Sequence, residues 1–178
     1  MRLLLSYEEE KSIIMKSEFI TSSICVIALL AAGCAAMRPM DIGATQDNVR
    51  ASLGAPSLQS KTSDGERWAY SAAPEGKLTW LYDFDAAGRV VKRTQGLTME
   101  RVSQLKNGQT KAEVERMIGP SYWSLRYPFK PDEVVHVYRV DDAALPMCFY
   151  VGYDASNIVT STGMQEEIRS SLRMSRPC

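Results

Sequence analysis

Histidine is nearly missing from this sequence: His136 is the one histidine among 178 residues. The four cysteines include no Cys-x-x-Cys spacing, so the patterns that hold zinc are absent, and at most one imidazole is available to a triad. Excess charge is missing too. Lys plus Arg and Asp plus Glu each total 21, and a balanced chain lacks the concentrated positive charge that drives nucleic-acid binding. The most apolar window, Phe19 to Ala32, is 14 residues long, short of the about 20 that a spanning helix takes. No glycine-rich phosphate loop or nucleophile elbow is present. Asp141-Asp142 is an adjacent pair, and adjacent side chains do not converge on one point. The expectation is a chain with no catalytic residues, no cofactor, no metal and no nucleic-acid partner. What remains is an ordinary composition, 45% hydrophobic and 24% charged, enough for one or two small domains.

The apolar window has the length of a signal-peptide core and ends in Leu29-Leu30-Ala31-Ala32-Gly33-Cys34, small residues directly before a cysteine. That ending resembles a bacterial lipobox, in which the cysteine thiol receives a diacylglycerol and the chain is cut just before it. A buried helix of a cytoplasmic domain is the alternative, disfavoured by the short length and abrupt end. From Met1, Arg2, Lys11 and Lys16 stand against Glu8, Glu9, Glu10 and Glu18, the wrong sign for export. From Met15 the free amino group and Lys16 outweigh Glu18, so Met15 is the expected initiator. Cutting before Cys34 leaves 145 residues with 18 basic and 17 acidic side chains. Ala35 and Ala36 stand where an aspartate directly after the cysteine retains many lipoproteins in the inner membrane, so delivery to the outer membrane is expected.

The remaining chain repeats itself. Gly43, Thr45, Val49, Leu53 and Gly54 recur 65 residues later as Gly108, Thr110, Val114, Ile118 and Gly119. Trp68-Ala69-Tyr70 matches His136-Val137-Tyr138, and Phe84-Asp85-Ala86-Ala87-Gly88 matches Tyr153-Asp154-Ala155-Ser156-Asn157. Thr110 with Glu113 forms a capping box, Val114, Met117 and Ile118 share a helix face, and Gly119-Pro120 stops the helix. Thr98 to Leu105 is a further short capped helix. Alternation at Leu78 to Asp85 and Met147 to Tyr153 marks central strands. Glu66 to Ser71, Val90 to Thr94, Val134 to Val140 and Ile158 to Ser161 flank them. Asn157 replaces Gly88 where the turn needs positive φ. The expected fold is α+β, two tandem units, each a short helical element packed on a three-stranded antiparallel sheet.

The order of lipobox, Gly-x-Thr-x-x-x-Val-x-x-x-Leu-Gly-x-Pro helix, Trp-x-Tyr and Phe-Asp-x-x-Gly-x-Val resembles the SmpA/OmlA (BamE) lipoprotein family. Gly43, Thr45, Val49, Leu53, Gly54, Pro56, Trp68, Tyr70, Phe84, Asp85, Gly88 and Val90 carry it in the first copy. The second keeps Gly108, Thr110, Val114, Gly119, Tyr138, Asp154 and Val159. The resemblance implies a lipoprotein on the periplasmic side of the outer membrane, an accessory to insertion of β-barrel proteins that contacts other envelope proteins and anionic phospholipid. The tandem form is similar to the architecture of β-lactamase inhibitor protein, where two units join their sheets into a concave face. It follows that residues 1–33 are a signal region, 34–41 a lipidated linker, 42–96 and 97–163 two BamE-like repeats, and 164–178 an amphipathic tail. The expected function is a lipid-anchored, non-catalytic interaction module in envelope or β-barrel assembly. The alternative is an inhibitor-like or ligand-sequestering protein of the periplasm.

Individual positions carry further expectations. Cys34 is the lipid attachment site. With Cys25 in the signal, Cys148 and Cys178 remain, and an oxidising compartment permits a disulfide that neither spacing nor parity forces. The rival, a thiol nucleophile served by His136, is weakened because His136 repeats a tryptophan position. Val135, Val137, Cys148 and Tyr150 lie out of phase with the core strand positions, forming an apolar strip on the opposite sheet face. Either an amphipathic helix with Met164, Ile168 and Leu172 every four residues, or the other sheet, covers that strip, or Val135, Val137 and Tyr150 form an interaction surface. Arg169, Arg173 and Arg176 read as a solvated face rather than a headgroup contact.

Overall fold

Two threonines start the two longer helices. The Thr45 side chain accepts from the Asn48 N–H at the head of α1 (Gln46–Leu53), and Gly54 ends it at φ 78°. Thr110 does the same for α3 (Lys111–Ile118), where Glu113 completes a capping box and Gly119 ends the helix at φ 87°. Between them, Thr98 caps the single-turn α2 (Met99–Val102). Each cap satisfies amide donors that the first turn leaves unbonded. The computed structural model describes residues 40–73, 77–121, 123–140, 145–167 and 178, all within the unit Pro39–Cys178. The signal region, Met15, Cys34, Asp141-Asp142, Ile168, Leu172 and the three tail arginines lie outside the described residues.

The architecture is mostly β, which corrects the expectation of α+β units with three-stranded sheets. One four-stranded antiparallel sheet has the order β1 (Leu58–Lys61), β2 (Gly65–Ser71), β3 (Thr79–Asp85), β4 (Val90–Gln95). The other has the order β5 (Trp123–Tyr127), β6 (Lys130–Val140), β7 (Met147–Tyr153), β8 (Val159–Glu166). The two added strands, β1 and β5, follow directly on a helix and sit at sheet edges. Leu-Gln-Ser-Lys and Trp-Ser-Leu-Arg-Tyr are short and half polar, and their backbone pairing to β2 and β6 holds them; an edge strand needs little apolar signal. A second correction concerns the tail. β8 extends through Met164 to Glu166, so the segment expected to open an amphipathic helix at 164 begins as strand.

Both halves tie their helix to the hairpin in the same way. Gly43 N–H donates to Val90 O at 2.7 Å and Gln46 N–H to Gly88 O at 3.0 Å. In the second half, Gly108 N–H donates to Val159 O at 2.9 Å and Lys111 N–H to Asn157 O at 2.8 Å. Asp85 and Asp154 each accept two backbone N–H groups inside the turn, and Gly88 and Asn157 take φ 70° and 60°.

The helices then pack. Val49 is buried on the sheet face that carries Trp68, Tyr70, Tyr82 and Phe84. There the Tyr70 hydroxyl donates to Gly54 O and the Arg50 guanidinium lies 4.6 Å from the Trp68 ring. Val114 and Ile118 join Tyr138, Val140, Phe149, Val151 and Tyr153 in one core; each fully buried side chain of this kind contributes about 1.5–3 kcal/mol. The end of α3 also reaches the opposite face of the first sheet. Arg67, paired with Asp83 on that face, donates to Arg116 O at 2.9 Å. A Cβ on Gly119 would stand 2.4 Å from Thr79 Cγ2 and 3.8 Å from Ala69 Cβ. The first sheet is thus covered on both faces, by α1 and by α3.

Candidate binding groove on the second sheet

Among the described residues, α3 packs on one face of the second sheet and no helix packs on the other. Its outer face carries Trp123 and Leu125 of β5, Val135, Val137 and Arg139 of β6, Cys148, Tyr150 and Gly152 of β7, and Ser161 and Gly163 of β8, by the cross-strand register. One end of this face is closed. Cys148 and Cys178 are joined, S–S 2.04 Å. Beside them, Arg139 and Lys77 reach the buried Glu167 carboxylate at 3.0 and 3.7 Å. Glu167 N–H also donates to Pro146 O.

At the other end lies an open groove of about 370 Å³. Its apolar lining is Tyr127, Phe129, Val135, Tyr150, Gly163 and Met164. Tyr127 and Phe129 stack at 5.3 Å at the β5–β6 turn, and Phe129 is 76% exposed. An aromatic pair this open offers a partner a large apolar contact at little ordering cost. The floor is bare at Gly163, where a Cβ would meet nothing within 4 Å. Over Gly152, the Ser161 hydroxyl donates to Glu133 Oε1 at 2.9 Å, and Lys130 Nζ donates to Glu133 Oε2 at 3.1 Å. A Cβ on Gly152 would fall 2.0 Å from Glu133 Oε1, so glycine is what lets β6 and β8 side chains meet across β7. The bond from Lys130, ahead of that from Ser161, holds the Glu133 carboxyl below its usual range. Burial, with Tyr127 beside it, pushes the Tyr150 hydroxyl up, so the phenol stays a neutral donor.

The structure separates the residues expected at this surface. Val135 is on the groove floor and Tyr150 in its wall, whereas Val137 is fully buried and contributes to no surface. Tyr127, Phe129 and Gly163 were not expected here, and Met164, expected on a covering helix, lines the groove from a strand. The signal for the first two is an aromatic–proline–aromatic turn, Tyr127-Pro128-Phe129, too polar in its surroundings to belong to a core. His136 and Cys148 occupy opposite faces of the sheet, and Cys148 is disulfide-bonded. The His136 ring packs edge-on to Tyr153 at 5.0 Å. Burial, then nearby Lys111, pushes it down to about 4, so the imidazole is neutral near pH 7. Among the described residues no group of three or more His, Cys, Asp or Glu is placed to hold a metal ion.

No protein-family model matches the chain. Sixty-nine residues are 32% identical to the bifunctional autolysin of Staphylococcus aureus, in strains Mu50, N315 and Mu3 alike. The stretch is 38% of this chain and 5% of the autolysin. The chain therefore spans about one-twentieth of the length of these curated relatives, and a likeness of that extent does not place it in a family.

Proposed function

We propose that this chain is a lipid-anchored, non-catalytic binding module of the outer membrane, attached through Cys34, facing the periplasm, and serving envelope or β-barrel assembly through a protein partner. The observation that supports a binding role is the open outer face of the second sheet, where an exposed aromatic pair and a bare floor at Gly163 form a groove. Concave sites with apolar walls and a few fixed polar groups are where partners dock. The alternative, an inhibitor-like protein using one concave face across both sheets, has less support, because the end of α3 occupies the outer face of the first sheet.

A photocrosslinking amino acid at position 127 in cells tests the reading, with position 61 on β1 as control. The expected result is adducts with envelope or barrel-assembly proteins from position 127 alone, and release of the chain from membranes by Cys34→Ser. Equal adducts from both positions, or none from 127, would overturn the groove as the binding surface. Retention of Cys34→Ser in the membrane would overturn the anchor.

A further inference from the structure

Every open antiparallel sheet has two edges, each with unpaired backbone N–H and C=O groups that invite another strand. Proteins guard such edges with charge, brevity or bulges. Three of the four sheet edges among the described residues are guarded in this way. β1 has four residues and ends in Lys61. β5 has five, includes Arg126, and is interrupted by an irregularity between Leu125 and Tyr127. β4 carries Lys92 and Arg93, and Arg93 also donates to Met40 O at 3.1 Å.

The fourth edge is different. β8 spans eight residues, and Thr160 to Glu166 are all exposed. Beyond the register shift near Tyr153, Ser161 to Glu166 pair one to one with Gly152 to Met147, a straight run of about 20 Å. Up to Glu166 the run is Ser-Thr-Gly-Met-Gln, without charge or proline. The first sheet is the internal comparison. Lys92 and Arg93 face Asp83 and Tyr82 in its register; at the same places in the second sheet, Ser161 and Thr162 face Gly152 and Val151. The two charges that guard one edge are absent from the other. The groove borders this unguarded strand.

We propose that β8 receives an extended, uncharged segment of a partner protein as a fifth strand, with a large apolar side chain of that segment opposite Gly163 lying in the groove. The proposal rests on the binding-module reading and names the kind of segment bound. Strand addition supplies affinity through the main chain, and alternate side chains supply selectivity. In the register, Gly163 faces Tyr150, so a residue opposite Gly163 on an added strand points to the same face and continues that row. A Cβ on Gly163 would meet nothing within 4 Å, which leaves room for a large side chain to lie over it. An aromatic residue covering a glycine on the neighbouring strand is a known stabilising device.

The test uses the full oxidised chain and an end-blocked peptide of alternating Thr and Val with one central Phe. A second peptide carries N-methyl groups at alternate residues, which removes the backbone donors of one edge. The expected result is binding of the first peptide with slowed amide exchange at Ser161 to Gln165. N-methylation, Thr162→Arg, and Ser161→Lys combined with Thr162→Arg should each weaken binding by about tenfold or more, with melting temperatures unchanged. Equal binding of the N-methylated peptide, or binding unchanged in Thr162→Arg, would overturn strand addition. So would concentration-dependent self-association abolished by Thr162→Arg, which makes the occupant a second copy of this chain. The two readings fail separately: adducts from position 127 that persist in Thr162→Arg sink strand addition and keep the groove, whereas their absence from the parent chain sinks the groove itself.

Discussion

At position 136 a histidine stands where the first half of the chain has Trp68, with Tyr153 on one side and Lys111 nearby. An imidazole held neutral by burial resists the proton that the unfolded chain accepts near pH 6.5. Between pH 6.5 and about 4 the unfolded state therefore binds more protons at this site, and stability falls as pH falls through that window. The penalty is on the order of 1–2 kcal/mol, discounted for partial solvent access. His136→Phe keeps an aromatic ring and removes the titration. Urea midpoints at pH 7.5 and pH 4.5 should differ less in the variant than in the parent, and an unchanged difference would assign the acid sensitivity to carboxylates instead. Trp68 donates from its Nε1 to Glu66, which shows how the first half satisfies the polar edge of the same position.

Helix ends illustrate how one local rule leads to different costs. Gly54 and Gly119 both stop an eight-residue helix at positive φ. A Cβ on Gly54 meets nothing within 4 Å, while one on Gly119 runs into Thr79. Gly54→Ala should cost about 1 kcal/mol from backbone strain alone. Gly119→Ala should cost about 2–4 kcal/mol, because it also wedges α3 away from the first sheet; denaturant titration of the two variants measures the gap. The caps, stops and central strands were legible in the sequence because each depends on residues within a few positions. β1 and β5 were not, since they are short, half-polar strands held by backbone bonds that leave no mark on side-chain alternation. β8 was cut short because Met164, Ile168 and Leu172 suggest a helical period while Met164 itself pairs with Phe149. In the groove, Tyr150 and Val135 were legible from strand phase. Tyr127, Phe129 and Gly163 were not, for they meet only when four strands are laid side by side.

For the molecule as a whole, the Cys148–Cys178 bond ties the last residue to the middle of the second sheet across a separation of 30 residues. A loop of that length restricts the unfolded chain by about 3.6 kcal/mol. Cys178→Ser should lower the unfolding free energy by roughly 2–4 kcal/mol, and reductant should then add nothing further; an additional loss with reductant would mean the thiols do something besides hold this loop. The position of α3 has a wider consequence. Its inner side closes the core of its own sheet, and its end roofs the sheet before it. In this arrangement the helix of the second unit roofs the sheet of the first. A third unit added after the second would bring its helix over Val135 and Tyr150 and fill the groove. A partner seated in the proposed groove would therefore stand, for the second sheet, where the end of α3 stands for the first.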